Sequence, residues 1–402
     1  MSVALTSKMI TNQTAELLNP VFLENCRKTP ELGPSILFFS GGSALREISR
    51  TLKQYSHNSI HMVTPFDSGG SSAELRHAFS MPSVGDLRNR LVSLADENIN
   101  GHPQVYSLFT HRLPADGHNG ELMDELVSMI DGSNPMVESI PDPMRHLICT
   151  QLEHFQASMP KSFDLRGASI GNLVLSGGYL HNNRELEQIT FLFSKLVAAK
   201  GIVRTIISED LHLVADLEDG SQVFGQHRLT GKEVAQINSP IKKISLSSDA
   251  TQLVPAYPEI SKKNRKLIDQ ADLICFPPGS FYSSLIANLL PQGVCRAIAN
   301  NQAPKVFVPC LGQDPEQFGI SIDRSIEILL QHLKQDAGMD YPINKLLNSV
   351  LIDSNNGDYA SKVSQALMDE LGIQLIDTTL ITEQSAPYYD PDLLVGALLS
   401  LT

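Results

Sequence analysis

The stretch Ser40–Asp96, SGGSALREISRTLKQYSHNSIHMVTPFDSGGSSAELRHAFSMPSVGDLRNRLVSLAD, carries three glycine-bearing turns within 57 residues. Phe-Phe-Ser-Gly-Gly-Ser ends at Ser43 after one apolar run, and Thr-Pro-Phe-Asp-Ser-Gly-Gly-Ser-Ser ends at Ser72 after another. Pro-Ser-Val-Gly-Asp-Leu-Arg-Asn ends at Asn89 and opens a helical pattern. Each reads as a strand or loop running into a helix. Such turns suit a ligand carrying phosphate, because glycine lets backbone N–H groups approach an anion and the next helix presents its partly positive N-terminus there. Ser43, Ser71 and Ser72 add hydroxyl donors. Asp67 and Asp86 cannot grip phosphate themselves; they suit a metal, a base or ribose, or the part of catalytic base. The bland alternative for Asp86 is a cap on a helix starting at Leu87, worth about 1 kcal/mol.

On either side of these turns the pattern is regular. Ile36–Phe39 has strand character, Ala44–Leu52 helical spacing, Ser59–Thr64 strand character again, and Leu87, Leu91 and Leu94 mark one face of a helix. A second informative stretch is Ala271–Asn288, ADLICFPPGSFYSSLIAN, read as a buried strand over Leu273–Phe276, a turn at Pro277–Ser280 and a helix from Tyr282. Between the two lie helical patterns at Glu121–Ile130, Met144–Ala157 and Arg184–Ala199, and an apolar helix opened by Gly171-Asn172. Strands are expected at Ile202–Ile207, Leu211–Leu217, Gln222–Phe224 and Ile241–Leu246, with a hairpin turn at Glu218–Ser221. Val306–Val308 and Val350–Ile352 are later strands, Ile320–Leu333 is a helix, and Pro391 starts a short final helix. Pro20 interrupts an N-terminal helical arm, Ala15–Cys26, within residues 1–34. Strands alternating with helices predict an α/β fold: a three-layer, Rossmann-like, mostly parallel sheet flanked by helices, with ligands at the strands' C-terminal ends. Residues 35–402 form that domain, and 114–167 is a mainly helical insertion.

Composition bounds the function. The chain has 402 residues, 42% hydrophobic and 19% charged, as in an ordinary globular protein. A formal net charge of −13 argues against a nucleic-acid partner, since a phosphate backbone requires a basic surface. The five cysteines are scattered without metal-type spacing and read as reduced core thiols. His146 and His154 stand eight apart, which is not ligand spacing on one helical turn. Met1–Asn12 lacks a signal peptide's pattern and no run reaches the length of a membrane span, so the expectation is a cytoplasmic protein without a membrane partner.

The stretches SGGSALREISRTLK, TPFDSGGSSAELR, GDLRNRLVSLAD, LFTHRL, SIGNLVL, LEDGSQVFG, ADLICFPPGSFYSSLIANLLPQG and YYDPDLL stand in the order of a known family. From about Ser35 onward the chain resembles the CofD-like family, which joins the 2-phospho-L-lactate transferases of deazaflavin coenzyme synthesis to the bacterial gluconeogenesis factors. The resemblance implies that Asp67 holds an acceptor or a metal, with Gly69, Gly70, Ser71 and Ser72 in its turn. It places Gly41, Gly42 and Ser43 on the nucleotide side, and aligns Gly85, Asp86 and Asn89 with one family signature and Gly171 and Asn172 with another. Gly279, Ser280, Tyr282 and Ser284 match a segment resembling a phosphate cradle, with Ser283 inside it and Asn288 one helical turn on. Magnesium as cofactor and a homodimer as assembly are further implications. The departures are specific: Asp67 is followed by Ser68 where relatives carry a second aspartate, Gly167-Ala168 stands where the gluconeogenesis factors read Gly-His, and Ala44 replaces a glycine.

Two function classes follow from the resemblance. In one, a magnesium-dependent transferase moves a phosphate-linked group from a nucleotide diphosphate donor to an acceptor hydroxyl, with Asp67 and Asp86 as catalytic residues. In the other, the pocket binds a nucleotide-sugar without turning it over and signals to a partner. The insertion is then either a lid over the site or a partner-binding surface.

Overall fold

The computed structural model describes residues 19–97, 101–231 and 234–402. Its centre is a seven-stranded, wholly parallel sheet of β1 Ile36–Ser40, β2 Ile60–Val63, β3 Ile202–Thr205, β7 Leu273–Phe276, β8 Lys305–Phe307, β9 Ser349–Ile352 and β10 Gln374–Asp377. The strands stand in the order β10-β9-β8-β7-β1-β2-β3. Three further strands, β4 His212–Leu217, β5 Gln222–Phe224 and β6 Ile241–Ser247, make a separate antiparallel sheet in the order β5-β4-β6.

The unbroken apolar runs of β1 and β7 follow from burial on both faces, the usual state of a parallel sheet. Side chains alternate across a strand, so Ile36, Phe38, Leu273 and Cys275 pack on one side with Leu45, Ile48 and the C-terminal helix Pro391–Leu399. Leu37, Phe39, Ile274 and Phe276 pack on the other with the helices Val294–Asn300 and Ile322–Ala337 and with Leu213 and Ala215 of β4. Three layers result, as the sequence predicts. The small sheet's three strands were all expected, at Leu211–Leu217, Gln222–Phe224 and Ile241–Leu246; that they form a sheet of their own was not.

The insertion is helical, with helices at Asn119–Ile130, Pro135–Glu138 and Met144–Ser158. Its apolar residues, among them Leu122, Ile148, Leu152 and Phe155, share a core with Leu173, Val174 and Leu175 of the helix Ile170–His181. The two helices lie so close that a Cβ at Gly177 would stand 1.9 Å from the carbonyl oxygen of Gln151. His154 stacks on His181 with ring centroids 3.6 Å apart. The N-terminal arm begins as the helix Pro20–Lys28, and residues 15–18 of the expected arm lie outside the described residues. Among the described residues no helix is long and apolar enough to cross a membrane.

Candidate ligand cleft at the sheet's reversal point

β1 lies between β2 and β7, so successive connections leave it in opposite directions and a crevice opens beyond the C-terminal ends of β1 and β7. A cleft of about 290 Å³ occupies it. The first glycine turn supplies Gly41, Gly42 and Ser43, the second Asp67 and Gly69, and the third Asp86 and Asn89. Gly279, Ser280 and Ser284 face them from the end of β7. Ten of the residues singled out in the sequence therefore line one space.

The glycines are there because side chains come close. A Cβ on Gly42 would lie 2.3 Å from Asp86 Oδ1, and one on Gly41 would lie 2.5 Å from Ser284 Oγ. Gly85 admits Asp67, whose Oδ2 would be 2.7 Å from its Cβ. Asp86 is not the cap of its helix: Gly85–Ser93 begins one residue earlier, with Val84 at the N-cap position. Thr64 Oγ1 donates to Asp86 Oδ2 at 3.3 Å, and Gly69 N donates to Asp67 Oδ1 at 3.2 Å. Arg90, just beyond the Gly-Asp-x-Arg-Asn signature, is wholly buried behind the first turn, donating to Gly41 O at 3.0 Å and Ser49 Oγ at 2.6 Å. Burial lowers its pKa to about 10, which leaves it charged at neutral pH.

The two turns that face each other across the cleft differ in what their amides do. The N–H groups of Gly42, Ser43 and Ala44 find no acceptor among the described residues. On the β7 side the chain has supplied its own acceptors. Phe281 N donates to Asp314 Oδ2 at 2.8 Å, Tyr282 N and Ser283 N donate to Glu316 Oε2 at 2.9 and 2.7 Å, and Ser283 Oγ donates to Glu316 Oε1. Gly279 N donates to Cys310 Sγ at 2.9 Å. Within that segment the amide of Ser280 alone lacks an acceptor among the described residues. The cradle expected from Pro-Gly-Ser-x-Tyr-x-Ser is thus largely filled by the protein's own carboxylates. Its helix winds as a π-helix over Phe281–Ile286 before continuing as an α-turn.

The remaining predicted residues stand behind the lining. Gly70 starts the helix Gly70–Phe79 at φ +46°, and Ser72 is buried against Gly85. Ser71 Oγ accepts from Ser169 N and Asn172 Nδ2 at 3.4 and 3.5 Å, and Gly171 gives room to Arg88 and Phe109 O. Tyr282 Oη donates to Ile241 O at 3.3 Å; Asn288 Nδ2 donates to Ser284 O at 2.7 Å and Ser40 O at 3.2 Å. These contacts bind the turns to one another. None of the insertion's residues lines the cleft, so in this structure it is packed core rather than a lid.

Three lining residues lie outside every stretch singled out in the sequence: Gln226, His227 and Thr230, from the short helix Gln226–Thr230 after β5. The motif LEDGSQVFG stops at Gly225, one residue short of them. Among the described residues no lysine or arginine lines the cleft. No cluster of three or more histidine, cysteine, aspartate or glutamate side chains is placed to hold a metal among the described residues. Two carboxylates are nevertheless the donor set of a magnesium ion that takes its other ligands from phosphate and water.

Fold and cleft together define a doubly wound α/β protein with its candidate site at the strand-order reversal. The family model described as "2-phospho-L-lactate transferase CofD" matches residues 36–384, and the chain belongs to that family. Gluconeogenesis factors are among its relatives: that of Halalkalibacterium halodurans is 25% identical, over 87% of this chain and 90% of its own. That of Listeria monocytogenes is 26% identical, over 92% and 96%. A Nostoc relative is 31% identical over 69% of this chain, which spans only 47% of that protein's length. A crystal structure of a UPF0052-family protein from Bacillus halodurans superposes with a TM-score of 0.67 at 22% identity, covering 91% of this chain and 99% of that one, a likeness of fold.

Proposed function

We propose that the cleft binds the diphosphate of a nucleotide or nucleotide-sugar. The observation that carries this reading is the set of unpaired amides at Gly42, Ser43 and Ala44 set beside Asp67 and Asp86 at the end of the sheet. Unpaired amides in a cleft call for an anionic acceptor. Two carboxylates, with no lysine or arginine in the lining among the described residues, would repel a bare diphosphate. Magnesium would supply the missing positive charge, and Asp67 and Asp86 are the residues that would hold it.

The arrangement supports group transfer. An acceptor hydroxyl attacks the distal phosphorus, the new oxygen–phosphorus bond forms as the bond to the bridging oxygen breaks, and a nucleoside monophosphate leaves. The hydroxyl proton passes to the Asp67 carboxylate, while the amides of the first turn take up charge on the phosphate oxygens. A second reading, nucleotide-sugar binding without turnover, is favoured by one observation: Ser68 replaces a carboxylate at the strand end and is bonded to His227 instead. The names of the gluconeogenesis-factor relatives point the same way.

Calorimetric titration with GDP, a uridine-diphosphate sugar and a deazaflavin, each with and without magnesium, separates them. Magnesium-dependent binding of GDP supports the transferase. Binding of the sugar nucleotide without magnesium or product supports the regulator, and no heat with any of them refutes the diphosphate reading.

A further inference from the structure

Among the described residues, His227 is the one side chain in the cleft lining that can carry positive charge. Its orientation is fixed from the neighbouring strand end: Ser68 Oγ accepts the His227 backbone N–H at 3.2 Å and lies 2.8 Å from the ring's Nδ1. Ser68's own hydrogen has no other acceptor among the described residues, so the hydroxyl donates to Nδ1. A neutral imidazole that accepts at Nδ1 carries its proton on Nε2. The backbone under the ring is tied at two points. Gly225 N donates to Leu213 O at 2.8 Å, and Thr230 Oγ1 donates to His227 O at 3.0 Å. Gly225 sits at φ +92°, where a Cβ would press to 3.1 Å on both the His227 ring and Ser68 Oγ. Glycine at this position is what lets Ser68 and His227 meet.

We propose that His227 contacts the ligand directly, donating Nε2–H to a phosphate oxygen of the bound nucleotide, and that Ser68 is the positioning residue that holds this tautomer. The proposal rests on the diphosphate reading of the cleft and gives it a specific hydrogen bond. It also assigns a role to the Asp-to-Ser departure: the strand end that loses a carboxylate gains an oriented imidazole. His227 lies in the lining with Asp67 and Asp86, so an Nε2–H donor on its ring would serve a phosphate brought there against two negative charges.

The test is calorimetric titration of GDP and UDP-glucose, with magnesium, into the natural protein and the His227→Ala, His227→Gln, His227→Asn and Ser68→Ala variants, each checked for an unchanged melting temperature. His227→Ala is expected to weaken binding roughly 10- to 100-fold, the worth of a hydrogen bond to a charged group. Glutamine places its amide donor near the Nε2 position and asparagine near Nδ1, so His227→Gln should recover most of the affinity and His227→Asn none. Ser68→Ala should cost several-fold in affinity, and ¹⁵N NMR of the imidazole should show loss of the pure Nε2–H tautomer, a signal that a merely structural serine would leave unmoved. Equal binding by the natural protein and His227→Ala would overturn this inference while leaving the diphosphate reading intact. Failure of the natural protein to bind either nucleotide would overturn both.

Discussion

Glu316 offers the sharpest test of how the β7 side of the cleft is held. Its carboxylate is fully buried and takes three hydrogen bonds, from the amides of Tyr282 and Ser283 and from the Ser283 hydroxyl. Glu316→Ala leaves two buried amides without acceptors. Each costs roughly 1–3 kcal/mol, and release from burying an acid offsets part of that, so the net loss is about 2–4 kcal/mol. Glu316→Gln behaves differently, because its amide oxygen can keep both backbone bonds while its nitrogen donates to Ser283, whose hydroxyl turns to accept. It should cost under about 1 kcal/mol. Burial, and then Asp314, raise the Glu316 pKa from the ordinary 4.5 to about 8. Between those values the folded chain binds more protons than the unfolded one, so Glu316's contribution is full below pH 4.5 and is lost as the pH rises towards 8. Urea unfolding followed by circular dichroism at pH 5, 6.5 and 8 measures both effects. The natural protein should lose stability relative to Glu316→Gln as the pH rises. A Glu316→Gln protein as unstable as Glu316→Ala, or a difference from the natural protein that does not change with pH, would refute this account of the turn.

Other substitutions separate ligand from fold. Gly42→Ala should cut GDP affinity at least tenfold with little change in melting temperature, because the new methyl would meet Asp86 Oδ1 at 2.3 Å and push that carboxylate aside. Asp67→Asn should abolish any turnover and remove the magnesium dependence of nucleotide binding, measured by calorimetry, with the circular-dichroism spectrum unchanged; undiminished turnover removes Asp67 from the mechanism. Gly177→Ala should do the reverse. With a Cβ placed 1.9 Å from Gln151 O, the insertion's long helix must move away, at a cost of roughly 3 kcal/mol in urea unfolding. Nucleotide affinity should stay as it was, since Gly177 does not line the cleft.

What was legible in the sequence was whatever local chemistry dictates. Ile36–Phe39 and Leu273–Phe276 read as strands because both their faces are buried, and the turn glycines stood out because few residues fill a turn beside close-packed side chains. The contents of the cleft were less legible where distant segments meet. Gln226–Thr230 is five residues long and reaches the cleft only because the antiparallel β4–β5 hairpin carries it there, which no periodicity records. Asp314 and Glu316 lie in the loop GQDPEQFG, 33 or 34 residues from the amides they accept, and nothing local marks them as caps. The insertion's helical spacing was plain. Whether its apolar face covers a site or completes a core depends on Gly177 and its neighbours, and the packing decides for the core.

The difference between the two facing turns bears on the ligand's chemistry. Had both turns kept their amides open, the cleft would offer two anion sites, one at each end of a diphosphate. Here Asp314 and Glu316 occupy the β7-side amides from within, which stiffens that wall and leaves it Ser280 N and the hydroxyls of Ser280 and Ser284 to present. On the proposed diphosphate reading, the anion grip therefore falls to Gly42–Ala44, held from behind by Arg90 on Gly41 O. The opposite wall is suited to neutral polar groups such as sugar or acceptor hydroxyls, which hydrogen-bond serine without needing charge. Affinity should accordingly follow the phosphate end of the ligand. Adding a sugar to GDP or UDP should change discrimination more than strength, and a sugar without phosphate should not be retained.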